Sequence, residues 1–137
     1  MRLGFLLAFL LVLSQQRVEK TTLDGVYTSA QATRGQDLYG TYCSSCHRED
    51  LSGGGSFGME EAPALQRDRF MEGRDLYSVF ASMKANMPAD NPSTLADQAY
   101  LDILTYVLQQ NGYPAGTDEL VVNADTLKSI RIVSDAN

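Results

Sequence analysis

The sequence predicts an all-α fold, and three observations carry that prediction. Apolar residues recur at helical spacing within residues 38–42, 76–83 and 100–108, and no stretch alternates apolar and polar residues in the manner of a half-buried strand. The glycines at 53–55 and the prolines at 88 and 92 fall between those stretches, where turns are needed. With 137 residues, 44% hydrophobic and 20% charged, the chain can bury one core but not two ordinary ones. Its 17 acidic residues outnumber 11 basic ones, giving a formal charge of -6, so the basic footprint that phosphate backbones require is missing and no nucleic-acid partner is expected.

In chain order, Met1 and Arg2 precede eleven residues, Leu3 to Leu13, without a charge or a strong polar group, and the polar run Ser14 to Arg17 follows. As a helix this stretch rises only ~16 Å, about half of the ~30 Å hydrocarbon thickness. A stable membrane span is therefore not expected, and residues 1–19 read as a secretory signal peptide cut between positions 14 and 20. Its alternative is an uncleaved anchor. Export to the periplasm or another extracytoplasmic compartment follows, where disulfides can persist. Loss of Arg2 leaves 10 basic against 17 acidic residues, a formal -7. Residues 20–28 show no sustained period and are expected as a flexible or loosely docked arm.

The domain proper is placed at residues 29–116. Ser29 can cap a helix beginning at Ala30, with Leu38, Tyr39 and Tyr42 as its apolar stripe. Gly35 inside that helix costs about 0.5 to 1 kcal/mol relative to alanine, a cost usually tolerated where another helix approaches closely. Residues 48–63 are expected as loop; Gly53, Gly54 and Gly55 lack the Lys-Ser/Thr of a phosphate cradle. A second helix is read from Arg74 to Ala85, because Leu76, Val79, Phe80 and Met83 fall at i, i+3, i+4 and i+7. Pro88 and Pro92 then hold Met87 and Asn91 away from helical geometry. Thr94 and Asp97 suggest a capping box for the strongest helix, whose stripe of Tyr100, Ile103, Leu104, Val107 and Leu108 runs to Asn111-Gly112. Residues 117–137 form a C-terminal extension with one weak strand-like pair, Val121-Val122, and a short helical turn near 124–129.

Two cysteines and the single histidine all lie within Cys43-Ser44-Ser45-Cys46-His47. Structural zinc needs four ligands, normally from two separated pairs, and only one pair is present. A thioredoxin-type dithiol needs a βαβ setting that the pattern does not supply. A disulfide here would close a loop too short to constrain the unfolded chain much. Covalent attachment of one haem c fits every residue. On a helical turn the thiols of Cys43 and Cys46 share a face, about 5 to 6 Å apart, and can reach both vinyl groups along one porphyrin edge. His47, rotated about 100° from Cys46, brings its imidazole toward the iron as proximal ligand.

The string YCSSCH, the APAL of Ala62 to Leu65, the NMPAD of Asn86 to Asp90 and DILTYVLQQNGYPAG from Asp102 to Gly116 together resemble the class I c-type cytochromes. The resemblance covers residues 30–116 and makes 29–116 a cytochrome c domain. It implies a first helix crossing the last, with Gly35 and Tyr39 against Tyr106 or Ile103, and one or two shorter helices around the haem. It also implies that the Pro63 carbonyl accepts a hydrogen bond from the second nitrogen of His47, orienting the ring. The tryptophan that relatives often carry after the residue matching Phe70 is missing. For the sixth iron ligand, Met83 sits on an apolar stripe and reads as core, whereas Met87 stands off the helix, held extended by Pro88, where the family carries its ligand, 40 residues after His47. Arg67, Arg69, Arg74 and Tyr77 are the nearest donors for the propionates, and none is assigned.

The expected function is that of an exported electron carrier, not an enzyme by itself, passing single electrons between a protein donor and a protein acceptor. The closing segment looks most like cytochromes that accept electrons from quinoprotein alcohol dehydrogenases, which implies such a donor and a terminal oxidase chain beyond it. Two alternatives stay open: an enzyme or gas sensor with a five-coordinate haem, distinguished by the fate of Met87, and a cytochrome subunit permanently docked to a dehydrogenase or oxidase through the extension.

Overall fold

Gly35 sets the approach of the two helices on which the fold is built. The structure, a computed structural model, describes residues 19–57, 60–66 and 71–134. Its helices are α1 (Ser29–Tyr42), α2 (Ser44–His47), α3 (Leu76–Asn86), α4 (Asp97–Gln110) and α5 (Ala124–Lys128). α1 lies so close to α4 that a Cβ on Gly35 would overlap the Asp102 carbonyl. Beside this point Tyr39 and Tyr106 pack with ring centroids 5.3 Å apart and planes tilted by 53°, a favourable arrangement for aromatic quadrupoles. Tyr106, not Ile103, is thus the ring partner of Tyr39. α4 is buried at every position from Tyr100 to Leu108, with α1 and α3 packed against it. A helix covered this widely is the centre of the core rather than a surface helix.

Helix ends depart from expectation where side-chain chemistry offers two choices. Thr28, not Ser29, caps α1: its side chain accepts from the Gln31 N–H, so the helix already includes Ser29. α3 begins at Leu76 because Asp75 takes the cap, accepting from the Ser78 N–H at 2.8 Å. The box expected of Thr94 and Asp97 does not form. The Thr94 hydroxyl donates to the Asn91 carbonyl at 2.7 Å, and Asp97, the first residue of α4, pairs with Lys84 of α3 at 2.6 Å. α4 stops at Asn111, and Gly112 follows with φ +85°, a left-handed turn that glycine adopts without penalty.

Residues 20–28, expected as a loose arm, are packed. Thr21 and Asp24 cap a single 3₁₀ turn reciprocally, and Thr22 and Tyr27 are fully buried. The Tyr27 hydroxyl donates to the Tyr113 carbonyl at 2.6 Å. The segment's partner is the extension: β1 (Lys20–Thr21) pairs in parallel with β4 (Ile130–Arg131), and β2 (Ser56–Phe57) pairs antiparallel with β3 (Glu60–Glu61). Two-residue strands are too short to leave a period in the sequence. The extension buries Leu120, Leu127, Ile130 and Ile132 and includes α5 in the region where a helical turn was expected.

The helix crossing predicts opposite responses from two glycines of one helix. Gly35→Ala should destabilise the protein by about 1–3 kcal/mol, because backbone must move to admit the methyl group. Gly40→Ala, where a Cβ meets nothing within 4 Å, should stabilise it by about 0.5–1 kcal/mol. Thermal melts followed by far-UV circular dichroism check both; a destabilised Gly40→Ala or a neutral Gly35→Ala contradicts the crossing.

Candidate haem site

Cys43 ends α1 and starts α2 in one residue, with φ -124° and ψ -33° breaking the helix between them. The Cys46 and His47 N–H groups both donate to the Cys43 carbonyl, at 3.2 and 2.9 Å, so a single tight turn carries both thiols and the imidazole. Both cysteines are free and half-buried. Burial, reinforced by the neighbouring Cys46, pushes the Cys43 thiol up to about 11. Among the described residues no group of three or more His, Cys, Asp or Glu side chains could hold a metal ion.

His47 is 5% exposed, and its Nδ1 lies 2.9 Å from the Pro63 carbonyl oxygen. A carbonyl only accepts, so Nδ1 carries the proton, and in the neutral ring the lone pair is left on Nε2. That is the tautomer an axial ligand requires.

The loop expected between positions 48 and 63 builds this contact. Arg48, Leu51, Gly53 and Gly54 all have positive φ, coiling the chain back beneath the histidine. The Gly53 N–H donates to the His47 carbonyl at 3.0 Å, and the Gly55 N–H to the Cys46 carbonyl at 2.9 Å. A Cβ on Gly53 would come within 2.6 Å of the Ala62 carbonyl oxygen and the Pro63 carbonyl carbon, and one on Gly55 would overlap the Cys46 carbonyl. The glycines therefore allow the 62–64 segment to lie against α2. Sequence reading treated them as flexible loop; the signal available was their position directly after the Cys-x-x-Cys-His string.

Met87 stands at the C-terminal end of α3, extended at φ -124° and ψ 151° and half-buried. Its N–H donates to the Met83 carbonyl at 2.8 Å, and its own carbonyl accepts from the Tyr100 hydroxyl at 2.7 Å. Met83 and Met71 pack against the hydrophobic core. Met1, Met59, Arg67, Arg69 and Phe70, like the signal segment, lie outside the described residues. Arg74 bonds to Ser78 of α3, and Tyr77 lies beneath the Lys128 ammonium, 4.8 Å from its ring centre. The structure thus brings His47 and Pro63 into contact and both cysteines onto one turn, while Met87 is held separately by α3 and α4.

Two free thiols on one turn, with an imidazole whose Nδ1 faces the Pro63 carbonyl and whose Nε2 is left to ligate, suit a covalently attached haem, and this donor set within an all-α fold defines a c-type cytochrome. The family described as "Cytochrome C oxidase, cbb3-type, subunit III" matches residues 30–107, more than half of the chain, and the chain belongs to it. No curated protein matches the chain. Among solved structures it is similar to one described as the sulfane dehydrogenase SoxCD from Paracoccus pantotrophus, at 19% identity and a TM-score of 0.52, covering 79% of this chain. The alignment spans 60% of that chain's length, and at this identity the likeness is one of fold.

Proposed function

We propose that the protein is an exported carrier of single electrons holding one haem, with Cys43 and Cys46 as its thioether attachments and His47 and Met87 as axial ligands. One observation carries the reading: the Pro63 carbonyl fixes His47 as an Nδ1–H tautomer inside the turn that also bears both thiols. The haem, when bound, supplies an iron that alternates between ferric and ferrous states. The chain's own residues hold and tune it. His47 would hold the iron through its Nε2 lone pair, and the Pro63 acceptor would raise the basicity of that ring and fix its plane. Met87 would offer a neutral thioether as the second protein ligand, a donor that favours the ferrous state. With both residues bound to the iron the protein would pass electrons without being an enzyme by itself.

Export is supported by the apolar stretch from Leu3 to Leu13; no helix among the described residues is long and apolar enough to cross a membrane. The donor and acceptor are redox proteins, and the closing segment's resemblance supports a quinoprotein dehydrogenase as donor. The matched family's own description, an oxidase subunit, favours a second reading, a cytochrome that stays docked in a larger assembly. Within the extension Leu120, Leu127, Ile130 and Ile132 are buried in this domain, while Val121 and Val122 stay exposed.

Protein matured in a host competent for cytochrome c assembly should carry one haem that survives denaturation and acidified-organic extraction. Intact-mass measurement showing two free thiols and no haem would remove the central assignment. Ferric protein should show the weak far-red sulfur-to-iron band; Met87→Ala should abolish it and lower the reduction potential, while Met83→Ala should keep it. Loss of the band in Met83→Ala alone would move the ligand to Met83, and rapid carbon monoxide binding by the wild type would favour the five-coordinate enzyme or sensor. The acidic surface predicts a partner with a basic patch around its redox centre. Reduction by a quinoprotein dehydrogenase should then slow steeply as salt rises past about 0.1 M, where the screening length is about 10 Å; a flat rate would indicate apolar docking.

A further inference from the structure

We propose that Tyr100 is a positioning residue for Met87, its phenol clamping the main chain from which the sixth iron ligand projects. The proposal rests on the reading of Met87 as that ligand. Tyr100 lies in the first turn of α4 and is 1% exposed. Its hydroxyl donates to the Met87 carbonyl at 2.7 Å and accepts from the Leu95 N–H at 3.4 Å. One buried oxygen therefore joins the residue that ends α3 to a residue just before α4, closing the intervening loop across its base. The Met87 N–H is already bound to the Met83 carbonyl. Both polar groups of the Met87 backbone are thus held, and the freedom left to the residue is its side-chain rotation.

Other contacts brace the loop without touching Met87. The Ser93 N–H and hydroxyl both donate to the Lys84 carbonyl, at 3.1 and 3.0 Å, and Lys84 pairs with Asp97. These fix the ends of α3 and α4 relative to each other. Tyr100 alone among these residues bonds to Met87 itself. A thioether is a neutral ligand that outside molecules can displace, so its hold on iron depends on how rarely its backbone swings away. Removing the hydroxyl leaves the Met87 carbonyl without this donor and favours the open loop, in which water can reach it. Apparent affinity for a competing ligand rises with the open fraction.

The test compares Tyr100→Phe with Tyr27→Phe in the haem-loaded protein. Tyr27 is a matched reference: it is fully buried and also donates its hydroxyl to a backbone carbonyl, that of Tyr113, at 2.6 Å. Imidazole is titrated into ferric protein while the far-red band is followed, with thermal melting measured in parallel. Tyr100→Phe should bind imidazole about five- to tenfold more tightly than wild type, the scale of one lost hydrogen bond. Tyr27→Phe should melt earlier yet bind imidazole as wild type does. Equal imidazole affinities in the two variants overturn the proposal while leaving Met87 ligation intact. A wild type without the far-red band overturns Met87 ligation and the clamp with it. Should Tyr100→Phe give no folded holoprotein, hydrogen exchange in wild type carries the test: saturating imidazole should speed exchange of the Leu95 amide by roughly tenfold, the loss expected when the hydroxyl it bonds is displaced, and an unchanged rate overturns the clamp.

Discussion

One proton organises the site. The hydrogen on Nδ1 of His47, held by the Pro63 carbonyl at 2.9 Å, leaves the neutral ring's lone pair on Nε2, and a ring with the opposite tautomer or a second proton could not ligate iron through that atom. Much of the surrounding backbone serves that contact. Pro63 lies sixteen residues beyond His47, and bringing it back requires a run of left-handed residues between Arg48 and Gly54. It also requires two glycines whose missing Cβ atoms leave room for backbone against backbone. Leu51, buried to 1% exposure, anchors the loop from beneath, its carbonyl accepting from the Leu65 N–H at 2.8 Å. The strained-looking loop is therefore the price of a fixed imidazole, and its glycines belong to the site although none carries chemistry.

The two proposed axial ligands are held by different physics. His47 is set by local backbone: one turn, one loop, one carbonyl. Met87 is set by the relation between α3 and α4, through the end of one helix and a phenol of the other. A disturbance of helix packing should reach the methionine before the histidine, since α2 and its loop close mainly on themselves. The α1–α4 crossing at Gly35 is upstream of both, for it places the turn that begins at Cys43 on one side and Tyr100 on the other.

The sequence was most legible where one side chain had one feasible role. The crowding of both cysteines and the only histidine into five residues left covalent haem as the reading that used all three, and helical spacing located α1, α3 and α4 to within about two residues. The resemblance supplied Pro63, which no local pattern marks, since a carbonyl is present at every position. What stayed hidden had competing choices or no period. Thr28 and Ser29 can each cap a helix, and geometry chooses Thr28. Asp97 could serve a capping box or an ion pair, and Lys84 on α3, thirteen residues earlier, takes it. Tyr100 reads as one apolar member of a stripe; its hydroxyl partner lies on the far side of a loop.

The folded extension is tied to a buried carboxylate in the helix crossing. Asp102 sits at the Gly35 contact and is 4% exposed, and an unpaired charge there would be strongly destabilising. Arg34 reaches it at 3.0 Å, and Gln31 and Gln98 donate to it at 3.1 and 2.8 Å. Arg34 also grips Glu119 at 2.8 Å, while Gln31 exchanges two hydrogen bonds with the backbone of Leu120. Two of the residues that satisfy the carboxylate, Arg34 and Gln31, are thus the residues that seize the extension just past Gly116. Once Leu120 is docked, the chain runs on through α5 to β4, where it closes over Lys20 and Thr21 and bonds to Gly73 and Arg74 ahead of α3. A boundary at residue 116 would cut that network through its middle: among the described residues the packing runs on from Lys20 to Val133, and the extension holds in place the start of the helix that ends at Met87.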